Sequence, residues 1–163
     1  MSANEEQVTR KLNETGIDVN GVYDLVNRKQ PYPHVVPTLI QLLRDGVSDD
    51  RNQREGVIRA LTVKEARGIA ADALFQEFER TPPENTIVRW VIGNALDTVA
   101  TKEDVPRLIT IVRDTRNGTS RQMMVLALGR FRQIPGVEEV LLGLLDDPDV
   151  SLHARKALKL QKT

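Results

Sequence analysis

The sequence predicts an all-α protein made of helix pairs stacked side by side. Three observations carry that expectation. Apolar residues recur at helical spacing along almost the whole chain, no stretch sustains a period-two alternation, and two apolar dipeptide ladders repeat every 30 to 35 residues. The segment 87–99 shows the rhythm. Val88, Val91, Ile92, Ala95, Leu96 and Val99 form one stripe of a helix.

Taken in order, helices are expected near residues 4–13, 20–29, 34–45, 51–62, 65–80, 85–99, 103–115, 119–132, 136–146 and 150–161. The first holds only Val8 and Leu12 as candidate anchors. Pro31 and Pro33 interrupt the chain before the third, whose stripe is Leu39, Ile40, Leu42 and Leu43. Thr81-x-x-Glu84, with Pro82 at a first helical position, suggests a start for the sixth. Thr101-x-x-Asp104 does the same for the seventh. Asn117-Gly118 closes that helix, and Thr119-x-x-Gln122 opens the next. Pro135-Gly136 and Pro148 separate the last two helices from what precedes them.

Two kinds of helix alternate. Ala60-Leu61, Ala95-Leu96, Ala127-Leu128 and Ala157-Leu158 are spaced by 35, 32 and 30 residues. Leu39-Ile40, Leu74-Phe75, Leu108-Ile109 and Leu141-Leu142 are spaced by 35, 34 and 33. The repeating unit is therefore two helices. One amphipathic hairpin cannot cover its own apolar face, whereas stacked hairpins roof one another and share a continuous core. Alanine in one helix permits close approach, and the larger residues of the other fill the remaining space.

Composition bounds the function. The 163 residues carry 23 Lys+Arg against 23 Asp+Glu, and aromatics make up only 4%. A single domain with an aliphatic core is expected. There is no cysteine, which excludes disulfides, thiol catalysis and thiolate metal sites and fits a reducing, cytoplasmic compartment. The N-terminal residues are polar and acidic, so no secretory or transit signal is expected, and no run reaches membrane-spanning length. The sequons at Asn13 and Asn117 then carry little weight. His34 and His153 show no metal spacing, and neither a Gly-rich phosphate loop nor a Gly-x-Ser-x-Gly elbow occurs. The expectation is a non-enzymatic protein with no metal and no cofactor.

The recurring arginine followed by Ala-Leu, then a Val-Pro-x-Leu-Ile helix, resembles the HEAT repeat, particularly its short phycobilisome-lyase type. The resemblance is strongest at 104–114, 127–131 and 141–150. It implies a right-handed α-solenoid of about four antiparallel pairs plus a terminal helix, spanning residues 17–163, with residues 1–16 as a helical extension or cap. It further implies that helices 34–45, 65–80, 103–115 and 136–146 line a concave face. Their polar columns are Gln41, Gln76, Thr110 and Gly143, and Arg44, Glu79, Arg113 and Asp146. Gln41, Arg44, Gln76, Glu79, Arg107, Thr110 and Arg113 are the candidate partner-binding residues. The implied function is a scaffold that binds a protein or peptide in this groove. Alternatives of the same repeat class are a DNA-binding module like the alkylpurine DNA glycosylases and a bilin-lyase-like or chaperone role. Deoxyhypusine hydroxylases of this class need His-Glu pairs, which are absent here.

Arg54, Arg89 and Arg121 occupy equivalent positions, 35 and 32 residues apart. They match the arginine that ties one HEAT repeat to the next; the rival reading is a column binding a phosphate polymer. Asp49 and Asp50 precede the first, and Glu84 the second. Arg107, Arg113, Arg116, Arg121, Arg130 and Arg132 form a basic band, followed by acidic Glu138, Glu139, Asp146, Asp147 and Asp149. Pairing between the bands, such as Arg130 or Arg132 with Glu138 or Glu139, competes with partner recruitment. The cancelling charges argue against non-specific nucleic-acid binding. Trp90 is expected between layers, Met123 and Met124 in the core, and Tyr23 and Tyr32 on the outer surface. At the C-terminal edge, Lys156, Lys159 and Lys162 cap the stack or Leu158 and Leu160 support weak self-association, so monomer and weak homo-oligomer both stand.

Overall fold

A computed structural model describes residues 1–46 and 50–160. Asp49 and Lys162, assigned above as a flanking acid and a capping cation, lie outside the described residues. The chain is all-helical, with no strand among the described residues. Its α-helices are α1 (Ala3–Asn13), α2 (Val22–Val26), α3 (Val36–Arg44), α4 (Arg51–Ala60) and α5 (Ala71–Arg80). They continue with α6 (Thr86–Val99), α7 (Val105–Arg113), α8 (Gln122–Gly129), α9 (Val137–Gly143) and α10 (Ser151–Ala157).

Several helix starts differ from the pattern-based ones. The segment 65–80 is broken: a 3-10 turn at Lys64–Ala66 precedes Gly68, whose φ of +81° a side chain would strain, and α5 begins only at Ala71. Thr81 does not open α6. It ends α5, its hydroxyl donating to the Glu77 carbonyl at 2.7 Å, and α6 starts after Asn85. Thr119 likewise gives no capping box, because the side chain of Gln122 donates to the Asp149 carbonyl at 3.0 Å. Thr101 and Asp104 do form their reciprocal box, on the 3-10 turn Lys102–Asp104 that leads into α7. Ser2 and Glu5 form another at the start of α1.

The helices pack in two rows. In one, α2, α4, α6, α8 and α10 touch in succession. In the other, α3 lies against α1 and α5, and α9 against α7. Across the rows α3 packs on α4, α5 on α6, α7 on α8, and α9 on both α8 and α10. Helix α1 packs on α2, α3 and α4, burying Val8 and Leu12 in the same core as the rest of the chain. The final helix packs on α8 and α9.

The first row is close-packed because its contacts are small. A Cβ added to Gly56 would lie 2.4 Å from Val22 Cγ1, and one on Gly129 would lie 2.9 Å from the Ala157 Cα. Leucines, isoleucines and valines of both rows fill the space between them, with Leu39, Leu74, Leu96, Leu108 and Leu128 inaccessible to solvent. Two aromatic expectations are corrected. Tyr32 is buried, its hydroxyl donating to the Ala60 carbonyl at 2.8 Å, while Trp90 stays 37% exposed. Trp90 lies one helical turn from exposed Ile87. Met124 is buried in the core, whereas Met123 is only half-buried. Tyr23 is half-buried too, and its hydroxyl hydrogen-bonds Asn52.

Candidate interaction face

The α3–α5–α7 side carries most of the predicted columns, and its side chains hold one another. The organising residue is Asp72, in the first turn of α5. Its carboxylate accepts from Gln76 Nε2 at 3.1 Å within the helix, from Arg44 Nη2 of α3 at 3.4 Å and from Arg107 Nη1 of α7 at 2.9 Å. Arg107 also approaches Glu79 at 3.5 Å and lies over the Phe75 ring, 4.4 Å from its centre. The backbones of α5 and α7 touch little, so Arg107 spans the gap by ion pair and stacking together. Gln41 turns to Asp45 at 2.6 Å, and Thr110 donates to the Pro106 carbonyl of its own helix at 3.1 Å. Six of the seven candidates, all but Arg113, therefore have a partner, and four of them, Gln76, Arg44, Glu79 and Arg107, belong to the cluster around Asp72. Asp72 itself was not among the expected residues. Its one sequence signal was the offset of 35 to Arg107, the same spacing as the ladders.

Arg113 stands apart. It is exposed and makes no ion pair among the described residues. It lines a surface cleft of about 630 Å³ between the end of α7 and α9. Glu139 and Asp146, also exposed, line it too, with buried Val140 and Leu144. Asp147 and Asp149 are also among its lining residues. The pairing expected between Arg130 or Arg132 and Glu138 or Glu139 does not form. Arg130 turns to the carbonyl and carboxylate of Asp97, and Arg132 donates to the Leu158 carbonyl at 3.1 Å. Burial pushes the Asp97 carboxyl above its ordinary value, and Arg130 and Lys156 oppose that rise.

Of the three equivalent arginines Arg89 and Arg121 are buried and Arg54 is partly buried, all along the edge where each helix of the α3 row turns into the next helix of the other row. Arg54 donates to the buried Glu77 carboxylate and to the Thr81 hydroxyl. Arg89 donates to the Thr81 carbonyl at 2.9 Å and to Asn117 Oδ1 at 2.9 Å, with its guanidinium 4.2 Å from the centre of the Phe78 ring. Asn117 Nδ2 continues the line to the Ile111 carbonyl at 3.0 Å. Arg121, wholly buried, donates to the carbonyls of Gly118 at 2.8 Å and Val112 at 3.0 Å and meets Asp147 at 2.8 Å. That contact holds the Asp147 carboxyl below its usual range. Burial lowers the Arg89 guanidinium below its ordinary value, with Asp114 and Glu84 partly opposing the shift.

Arginines also meet the C-terminal ends of helices. The last carbonyls of a helix have no partner within it. Here Arg89 takes the Thr81 carbonyl at the end of α5, Arg121 the Val112 carbonyl of α7, Arg80 the Leu43 carbonyl of α3 at 3.1 Å, and Arg67 the Thr98 carbonyl of α6 at 3.2 Å. Positive charge at a helix C-terminus is also favoured by the helix dipole. Among the described residues no three acid, histidine or cysteine side chains converge as a metal set, and no helix is long and apolar enough to cross a membrane. No family model, curated protein or solved structure matches this chain, so its geometry alone carries the functional reading.

Proposed function

We propose that the chain is a non-enzymatic scaffold that binds a protein partner across the face formed by α3, α5, α7 and α9. We read its two rows as a right-handed, HEAT-like α-solenoid in which that face is the concave one. Row-wise contact between alternate helices, from α2 through to α10, supports the architecture. The face is supported by the Arg44–Asp72–Arg107–Glu79 ladder, polar, half-exposed and already ordered by its own pairs. Such side chains lose little further freedom on docking, and their charges can be shared with or exchanged for those of a visitor. The lack of cysteine suits a cytoplasmic setting.

The test is capture of partners from the native host with the wild-type chain and with Gln41→Ala, Gln76→Ala, Thr110→Ala and Arg113→Ala combined. All four residues are exposed, so the variant retains the fold. A partner held by the wild type and lost by the variant supports the assignment. A partner held equally by both refutes it.

A further inference from the structure

We propose that Asn20-Gly21 is a site of spontaneous covalent modification, where water converts the asparagine to aspartate and isoaspartate, and that the fold protects the other Asn-Gly pair, Asn117-Gly118. The chemistry needs only the two residues and solvent. The Gly21 backbone nitrogen, having lost its proton to water, attacks Asn20 Cγ. The N–Cγ bond forms, the Cγ–Nδ2 bond breaks, and Nδ2 takes up a proton and leaves as ammonia. Water then opens the cyclic imide. Opening at Cγ gives aspartate. Opening at the main-chain carbonyl gives isoaspartate, with the chain rerouted through the side chain. Glycine favours the first step because no Cβ shields its nitrogen.

The structure treats the two pairs differently. Asn20 and Gly21 form the bend between α1 and α2. Asn20 is exposed, and its carboxamide has no hydrogen bond among the described residues; its backbone N–H donates to Asp24 at 2.7 Å. The space beside Gly21 is open, since a Cβ built there would meet nothing within 4 Å. The carboxamide can therefore turn onto the glycine nitrogen without displacing another group. Asn117 is half-buried and tied at both ends of its amide. Its Oδ1 accepts from Arg89 at 2.9 Å, and its Nδ2 donates to the Ile111 carbonyl at 3.0 Å. Cyclisation there must first break both bonds and strand a largely buried guanidinium nitrogen. The reactive pair also falls between two fixed points. Asn13 grips the N–H and carbonyl of Val19, at 3.0 and 3.1 Å, and Val22 is buried beside Gly56 of α4. Isoaspartate inserts an extra main-chain atom between them, and either product adds a negative charge near Asp24 to a chain of zero net charge. Ageing of this bend thus acts on the seating of α2.

The test incubates the native full chain at neutral pH for weeks, in parallel with the chain held unfolded in guanidinium chloride. Aspartate and isoaspartate are located by peptide mapping with fragmentation mass spectrometry. In the native chain Asn20 is expected to convert at least about tenfold faster than Asn117, whose two amide bonds set the difference. In the unfolded chain the two should convert at similar rates. Gly21→Thr keeps an N-cap residue type, its Cβ has open space, and its branched side chain shields the attacking nitrogen. It should slow conversion at Asn20 several-fold and leave Asn117 unchanged. Equal native rates at the two sites, a native chain unreacted at Asn20, a difference that persists after unfolding, or an undiminished rate in Gly21→Thr each overturn the proposal.

Discussion

Arg89 donates to the side-chain oxygen of Asn117 at 2.9 Å, joining α6 to the turn that precedes α8. The same amide donates to the Ile111 carbonyl at 3.0 Å, so one asparagine ties α6, α7 and that turn together. Asn117→Leu removes both bonds and leaves a largely buried guanidinium nitrogen without its acceptor. A loss of about 1–3 kcal/mol is expected, measured by urea unfolding with an unchanged m-value.

Arg121 is the most enclosed charge among the described residues, and its removal should cost more. Arg121→Met keeps the volume but strands Asp147 and frees the Val112 and Gly118 carbonyls. Breaking one side of a buried pair costs about 3–5 kcal/mol. Arg121→Met combined with Asp147→Leu should recover part of that loss, because no charge then lacks its partner. A double variant no more stable than the single one would show that the bonds to the carbonyls, rather than the ion pair, dominate.

Stability should fall on acidification in two stages. Burial, with Lys156 nearby, lowers the His153 side chain below its ordinary 6.5. The unfolded chain then takes up that proton before the folded one, so this contribution is whole above pH 6.5 and declines as pH drops toward the folded value. Asp147, ordinarily 3.8, is lowered by the hydrogen bond from Arg121. Its contribution is present above that value and disappears as pH falls through the folded one. His153→Gln should flatten the first stage in thermal unfolding recorded from pH 7 to 5 and leave the second untouched.

Two glycines should respond oppositely to alanine. Gly129→Ala drives a methyl against the Ala157 backbone and is expected to cost about 1–3 kcal/mol. Gly143, at the end of α9, has open space where a Cβ would stand, and Gly143→Ala should gain about 0.5 kcal/mol from helix propensity. Differential scanning calorimetry on the pair separates the two signs.

The lone tryptophan provides a direct check on the exposure of this part of α6. Trp90 should emit at long wavelength in the native state and be quenched readily by acrylamide. A blue-shifted, protected emission would place it under a neighbour instead.

Helix phase was legible because burial imposes it. The Ala-Leu ladder follows the small contacts of one row, and the Leu-Ile ladder the core side of the other, and both are properties of local spacing. Helix ends were less legible. A pattern such as Thr81-x-x-Glu84 describes an N-terminal cap made within four residues, whereas Thr81 here is held by other helices, its hydroxyl by Arg54 and its carbonyl by Arg89. Asp72 escaped for the same reason. On an isolated α5 it is an ordinary first-turn acid, and only the approach of Arg44 and Arg107 makes it a hub. Trp90 was misplaced because a position beside the apolar stripe reads the same whether or not another helix lies over it.

The arginine bonds at helix ends have a further consequence. Arg89 relies on Asn117 from the turn beyond α7, and Arg121 on Asp147 from the turn beyond α9, so each joint is completed only by chain that comes later. A fragment ending at Arg113 would keep Arg89 without its amide, and one ending at Gly143 would keep Arg121 without its counter-ion. Stepwise shortening should therefore undermine the segment before each cut as well as remove the one after it, and the array should melt as one cooperative body rather than fray from its tail.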